Sequence, residues 1–291
     1  PEDGMRKWAV ISALALSTPF HNYADVRGER DGGEVPVVQA RPTGRSPMIE
    51  IEGLIKAYDG FKAVDDLSLR VGAGEILGLV GPNGAGKTTT LRCLSGTIPA
   101  TSGRIVICGF NLEDDPIEAR RRLAYVPDEP YLFDHLTALD HMVLFSRIYG
   151  VADGAQRGVQ LLEEHGLGNQ KRSFPGELSR GMKQKLLISC ALLHRPQALV
   201  FDEPLTGLDP ASIRRTKRTI VGTAREGTSV IVSSHMLHLV EEICDRVLIV
   251  QHGRKVLEGK LDEIRAALPG LGGDADLEEI FLRATGEDEP R

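Results

Sequence analysis

The stretch Gly81-Pro82-Asn83-Gly84-Ala85-Gly86-Lys87-Thr88-Thr89 spaces glycines, a lysine and hydroxyls as G-x-x-x-x-G-K-[ST]. The chemistry this spacing serves is phosphate binding. Gly81, Gly84 and Gly86 let backbone N–H groups, that of Asn83 among them, curl around anionic oxygens with no Cβ in the way. Lys87 adds a positive charge against the β- and γ-phosphates, Thr88 offers a hydroxyl to Mg²⁺, and Thr89 extends the cradle. A second set, Asp202-Glu203, closes the apolar run Ala198-Leu199-Val200-Phe201. Asp202 stands where a carboxylate can hold Mg²⁺, and Glu203, one residue on, can polarise an attacking water. Together the two sets point to a site that binds a nucleoside triphosphate with Mg²⁺, as in kinases, GTPases or motors, and that holds a group able to activate water.

Such groups work only if strands and helices hold them. Glu75 to Val80 reads as a buried strand before the phosphate loop, and Thr89 to Leu94 as a helix whose positive end faces the same anion. Asp209 and Pro210 open a helix to Arg225. Strands at Ser229–Ser233 and Val247–Val250 flank a helix at Met236–Cys244. This alternation predicts a mostly parallel sheet with covering helices. Ile49, Ile51, Val64, Leu67, Leu69 and Val71 predict a small antiparallel sheet before the loop, and Arg104–Gly109 and Leu123–Pro127 read as further strands. Helices are expected over residues 137–165, with a Thr137/Asp140 capping box and breaks at Gly150 and Gly154. Another is expected from Arg180 to Leu193, with Met182, Leu186, Leu187, Cys190 and Leu193 on one apolar face. The fold class is α/β: a P-loop NTPase with a RecA-like core, a small antiparallel β subdomain and a helical insertion over about residues 128–180. Short helices are expected at Leu261–Leu268 and Leu277–Ala284.

The chain has 291 residues, 41% hydrophobic and 5% aromatic, with a formal net charge of −6. That acidic balance, with no long basic block, disfavours nucleic acid as a partner. Cys93, Cys108, Cys190 and Cys244 show no C-x-x-C pairing and read as reduced core residues. No apolar run reaches the ~20 residues that span a bilayer. Met5-Arg6-Lys7 followed by Trp8 to Leu16 has the look of a weak signal peptide, a reading set aside because the later motifs need ATP. Residues 1–47 are expected to be a disordered extension, with Met48 opening the first strand, residues 48–259 the nucleotide-binding domain, and 260–291 a short helical tail.

Upstream of the acidic strand, Leu178-Ser179-Arg180-Gly181-Met182 opens a helix. With the phosphate loop and Asp202-Glu203, it makes the chain resemble the ATP-binding cassette family from about Ile49 to Gly259. The resemblance implies that Ser179 and Gly181 belong to the signature motif and bind nucleotide. It implies that Asp209 lies in the D-loop, His235 is the switch histidine at the γ-phosphate, and Tyr58 stacks on adenine. It also implies a homodimer or heterodimer of two cassettes, each completing the other's site, and a separate transmembrane permease, placing the chain on the inner face of the cell membrane. Three positions depart from the family pattern. Asp128 replaces the usual Q-loop glutamine and is expected to remain a metal-facing residue, Arg180 replaces the commoner glycine, and Met182 the commoner glutamine. The short segment after Gly259 and the ending Leu277-Glu278-Glu279-Ile280-Phe281-Leu282 resemble those of bacterial export subunits of the family, and that resemblance implies export over import. The alternatives are a soluble cassette ATPase acting on DNA or ribosomes, and a nucleotide-dependent binding module that hardly hydrolyses.

Overall fold

The computed structural model describes residues 47–267 and 276–285. The expectations for the N-terminal extension, apart from Pro47, and for the final residues therefore lie outside the described residues. The chain opens with β1 (Pro47–Tyr58), β2 (Phe61–Gly72) and β3 (Ile76–Val80), followed by helix α1 (Lys87–Leu94). Next come β4 (Ser102–Ile107), β5 (Phe110–Asn111), α2 (Pro116–Arg122) and β6 (Leu123–Val126). Helices α3 (Ala138–Tyr149), α4 (Gly154–Glu164) and α5 (Arg180–Leu192) intervene before β7 (Ala198–Asp202). The order closes with α6 (Pro210–Arg225), β8 (Ser229–Ser234), α7 (Leu237–Ile243), β9 (Arg246–Gln251), β10 (Arg254–Gly259), α8 (Leu261–Ala267) and α9 (Leu277–Thr285).

Two sheets result. A six-stranded sheet runs β10-β9-β3-β8-β7-β6, with every pair parallel except β10 against β9. A four-stranded antiparallel sheet runs β2-β1-β4-β5. The antiparallel sheet is thus assembled from both sides of the phosphate loop, since β4 and β5 follow α1. Strand β10, β5 and helix α2 were not foreseen. The β9–β10 hairpin turns on His252-Gly253, both with positive φ (49° and 77°), a two-residue turn whose usual sequence signal is Asn-Gly or Asp-Gly.

Strand parity decides what faces the site. Along β7, Leu199 and Phe201 pack toward the helices α3–α5, whereas Ala198 and Val200 pack with Leu91 of α1 and the antiparallel sheet. Asp202 shares the parity of Ala198 and Val200 and therefore points to the start of α1. The same alternation along β8 sends Val230 and Val232 to the helical side, and Ile231 to the α1 side. Ser233 follows Ile231.

The helical segment follows the expected punctuation. Thr137 and Asp140 form a reciprocal capping box, and Gly150 ends α3 in the left-handed conformation. Helix α5 departs from the one-faced pattern. Besides Leu186, Leu187 and Cys190 it buries Gln184, Ile188, Ser189, Ala191 and Leu192. Its core is wrapped on nearly all sides by β6, α3 and α4, so amphipathic periodicity understates its burial.

Candidate nucleotide site

The phosphate loop lies between β3 and α1, braced from below by the β9–β10 turn. Gly253 N–H donates to Ala85 O at 3.0 Å, and Asp65 N–H donates to Gly253 O at 2.9 Å. A Cβ on Gly81 would meet Val250 O at 2.3 Å, and one on Gly86 would meet Ala63 O at 2.4 Å. Those two glycines serve close packing. A Cβ on Gly84 would meet no protein atom within 4 Å, so that glycine faces the open cleft. β10, absent from the sequence expectation, thus helps to set the loop's height.

Lys87 is buried, and its Nζ donates to Gly81 O at 2.7 Å and Pro82 O at 3.2 Å. Burial pulls its pKa below the usual lysine value, while Glu203 and Asp202 work the other way. An ammonium that is buried and held by two loop carbonyls is placed to exchange them for phosphate oxygens.

Asp202 is 1% exposed and collects three donors. Ser233 Oγ donates to its Oδ1 at 2.7 Å, Thr88 Oγ1 to the same oxygen at 3.2 Å, and Tyr125 OH to Oδ2 at 3.3 Å. Burial, with Asp202 beside it, pushes the Tyr125 phenol up, so it stays a donor. Thr88 and Asp202 form an all-oxygen donor pair beside the loop, which fits Mg²⁺. Among the described residues no group of three His, Cys, Asp or Glu side chains forms a ready-made metal cage.

Glu203 takes a left-handed backbone (φ 49°), with its N–H held by Ser233 O at 3.2 Å and Ser233 Oγ at 3.0 Å. That turn swings its side chain off the strand's alternation toward His235, whose Nδ1 lies 2.9 Å from Glu203 Oε2. Thr206 Oγ1 stands 3.5 Å from the same oxygen.

A single cleft is lined by Tyr58, Phe61, Ala63, residues 83–89, Asp128, Glu203, Thr206 and His235. Tyr58 and Phe61 face each other across the Asp59-Gly60 turn, 46% and 68% exposed, with Lys56 Nζ 4.8 Å from the Tyr58 ring centroid. Asp128 reaches this cleft, with a partner the sequence did not suggest: Arg180 Nη2, 3.1 Å from its Oδ1. Ser179 caps α5, its Oγ accepting from Met182 N–H, and neither it nor Gly181 lines the cleft. Asp209 caps α6 through Ala211 N–H and Ser212 N–H and likewise stands outside the cleft.

Sequence reading missed Ser233, Tyr125 and Phe61. Ser233 and Tyr125 had a findable signal, since both sit at the ends of strands that flank the acidic one.

A family model described as ABC transporter matches residues 64–206. The linearmycin resistance ATP-binding protein LnrL of Bacillus subtilis is 34% identical over 81% of this chain and 78% of its own length. The bacitracin transport ATP-binding protein BcrA of Bacillus licheniformis is 38% identical over 76% and 72%. A solved structure of an ATP-binding subunit of an ABC transporter superposes with a TM-score of 0.77 at 35% identity, covering 82% of this chain and 99% of that one.

Proposed function

The chain belongs to the ABC transporter family, and from that premise we propose that it binds and hydrolyses ATP to drive a separate membrane-spanning permease. The observation that carries this reading is the meeting of Lys87, Thr88, Glu203 and His235 in one cleft. The phosphate loop takes the β- and γ-phosphates on its N–H groups and Lys87. Thr88 and Asp202 are the residues to hold Mg²⁺, which screens the phosphate charge when bound. Glu203 orients and polarises the attacking water, and His235 keeps the Glu203 carboxylate in place near the γ-phosphate. Tyr58 offers an exposed aromatic face to the base.

The working unit we propose is a pair of cassettes. Ser179 is exposed at the start of α5, an anion-binding helix end that its own cleft does not use. A second copy, or a near-copy, supplies that end across the nucleotide. Among the described residues no helix is long and apolar enough to cross a membrane, so the translocation path belongs to a partner. The place of work is then the cytoplasmic face of the membrane. Relatives named for linearmycin resistance and bacitracin transport support outward movement of cargo.

The test is sizing chromatography of Glu203→Gln with ATP. A nucleotide-dependent dimer is expected, abolished by Lys87→Ala. A species that stays monomeric at saturating ATP overturns the shared-site reading, and phosphate release unaffected by co-purified permease overturns the coupling.

A further inference from the structure

Two of the three positions at which this chain departs from its family pattern touch each other. Asp128 lines the nucleotide cleft with Lys87, Thr88, Glu203 and His235, and its carboxylate accepts from Arg180 Nη2 at 3.1 Å. Arg180 is the first residue of α5. One turn on, Gln184 donates from Nε2 to Pro127 O at 3.4 Å, so two side chains on one face of the helix hold adjacent residues. The stem of Arg180 passes loop 206–208: a Cβ on Gly207 would stand 3.6 Å from Arg180 Cδ. The guanidinium is thereby placed between the cleft acid and the loop that follows Glu203.

We propose that Arg180 is a positioning residue that neutralises Asp128 and, with Gln184, fastens residues 127–128 to the start of α5, so that a polyanion meets one uncompensated acid in the cleft lining, Glu203, instead of two. Left alone, Asp128 repels the triphosphate through a partly wet gap. Paired, it is electrically silent and keeps the cleft wall in register with the helix that carries Ser179. This inference rests on the cleft being the nucleotide site.

The experiment measures affinity for ATP without divalent cation, in EDTA, by displacement of a fluorescent ATP analogue from the full chain. Arg180→Ala is expected to weaken binding about fivefold at low salt, in line with a partly exposed ion pair. Asp128→Asn binds as well as wild type or better, and the double variant returns to within about twofold of Asp128→Asn, because the repelling charge is gone. Arg180→Lys keeps most of the affinity, and the Arg180→Ala defect shrinks in high salt. A double variant as weak as Arg180→Ala, or an Arg180→Ala that binds like wild type, overturns the proposal. Lys87→Ala separates the two levels. If it binds ATP normally, the nucleotide site itself is misplaced. If it loses ATP while the Arg180 series is flat, only the role of Arg180 falls.

Discussion

His235 meets Glu203 twice: its Nδ1 lies 2.9 Å from Glu203 Oε2, and its backbone N–H points to the same oxygen at 3.4 Å. With Thr206 also turned to Oε2, the other carboxylate oxygen, Oε1, is left without a protein donor among the described residues. Oε1 is therefore the oxygen free to receive a proton from water. Glu203→Gln is expected to lower the hydrolysis rate about 10²- to 10⁴-fold while leaving ATP affinity within a few-fold. His235→Ala, which frees the carboxylate to rotate, loses less, about tenfold. Single-turnover phosphate release measures both. Equal losses in the two variants would mean that His235 does more than hold the carboxylate.

The glycines of the phosphate loop have separable duties. Gly86→Ala drives a Cβ to 2.4 Å from Ala63 O, backbone that cannot move aside. It should lower the melting temperature by many degrees. Gly84→Ala meets no protein atom within 4 Å but carries φ 79°, which costs about 1 kcal/mol for a residue with a Cβ. It should melt within a few degrees of wild type and yet lose most nucleotide affinity. Calorimetry with and without ATP tells the two apart.

Metal dependence follows the donors around Asp202. Thr88→Ala and Asp202→Asn should each raise the Mg²⁺ concentration needed for half-maximal turnover at least about tenfold. Asp128→Asn, whose carboxylate Arg180 already engages, should raise it less than about threefold. Ser233→Ala removes both the 2.7 Å donor to Asp202 and an acceptor of Glu203 N–H, and is expected to cost about 1–3 kcal/mol of stability as well. A Mg²⁺ titration of phosphate release, with urea unfolding for Ser233→Ala, checks the set.

Base recognition is testable apart from phosphate recognition. Tyr58→Ala should weaken ATP binding by about 1–3 kcal/mol, the range for a base stacked on an aromatic ring. Affinity for inorganic tripolyphosphate should be unchanged. A parallel loss of tripolyphosphate would place Tyr58 in the support of the loop instead.

Acid should loosen the helical segment. His165 is 3% exposed, and its Nδ1 lies 2.8 Å from Ser189 Oγ, whose hydroxyl donates to Lys185 O. Ser189 therefore accepts from His165 Nδ1–H, which selects the Nδ1–H tautomer of the neutral ring. Burial lowers its pKa from 6.5 to about 4. The unfolded chain takes up the proton first, so the contribution is complete above about pH 6.5 and drains away as the pH falls to about 4. It amounts to about 3 kcal/mol. His165→Gln should flatten the fall of unfolding free energy across that window. Unchanged steepness would assign the acid sensitivity to other groups.

Local chemistry was readable where one residue does its work with close neighbours. The phosphate loop, the Thr137/Asp140 box and the Asp209-Pro210 helix start all announce themselves within a few positions. Asp202 was readable because an apolar strand ending in an acid has few other uses beside a phosphate loop. Contacts made by the fold alone stayed hidden. Nothing near Asp128 in the chain names Arg180 as its partner, 52 residues on. Strand β10 hid behind a His-Gly turn and a mixed Arg-Lys-Val-Leu-Glu run. The burial around α5 depends on helices that only tertiary packing brings to it.

The left-handed backbone at Glu203 has a lasting effect on how this position tolerates change. Asparagine or glycine would rest there more comfortably, and with the role proposed for Glu203 either is expected to silence turnover. Here thermal robustness and turnover pull toward different amino acids, so a screen that rewards heat resistance alone should recover inactive variants at residue 203 among its winners.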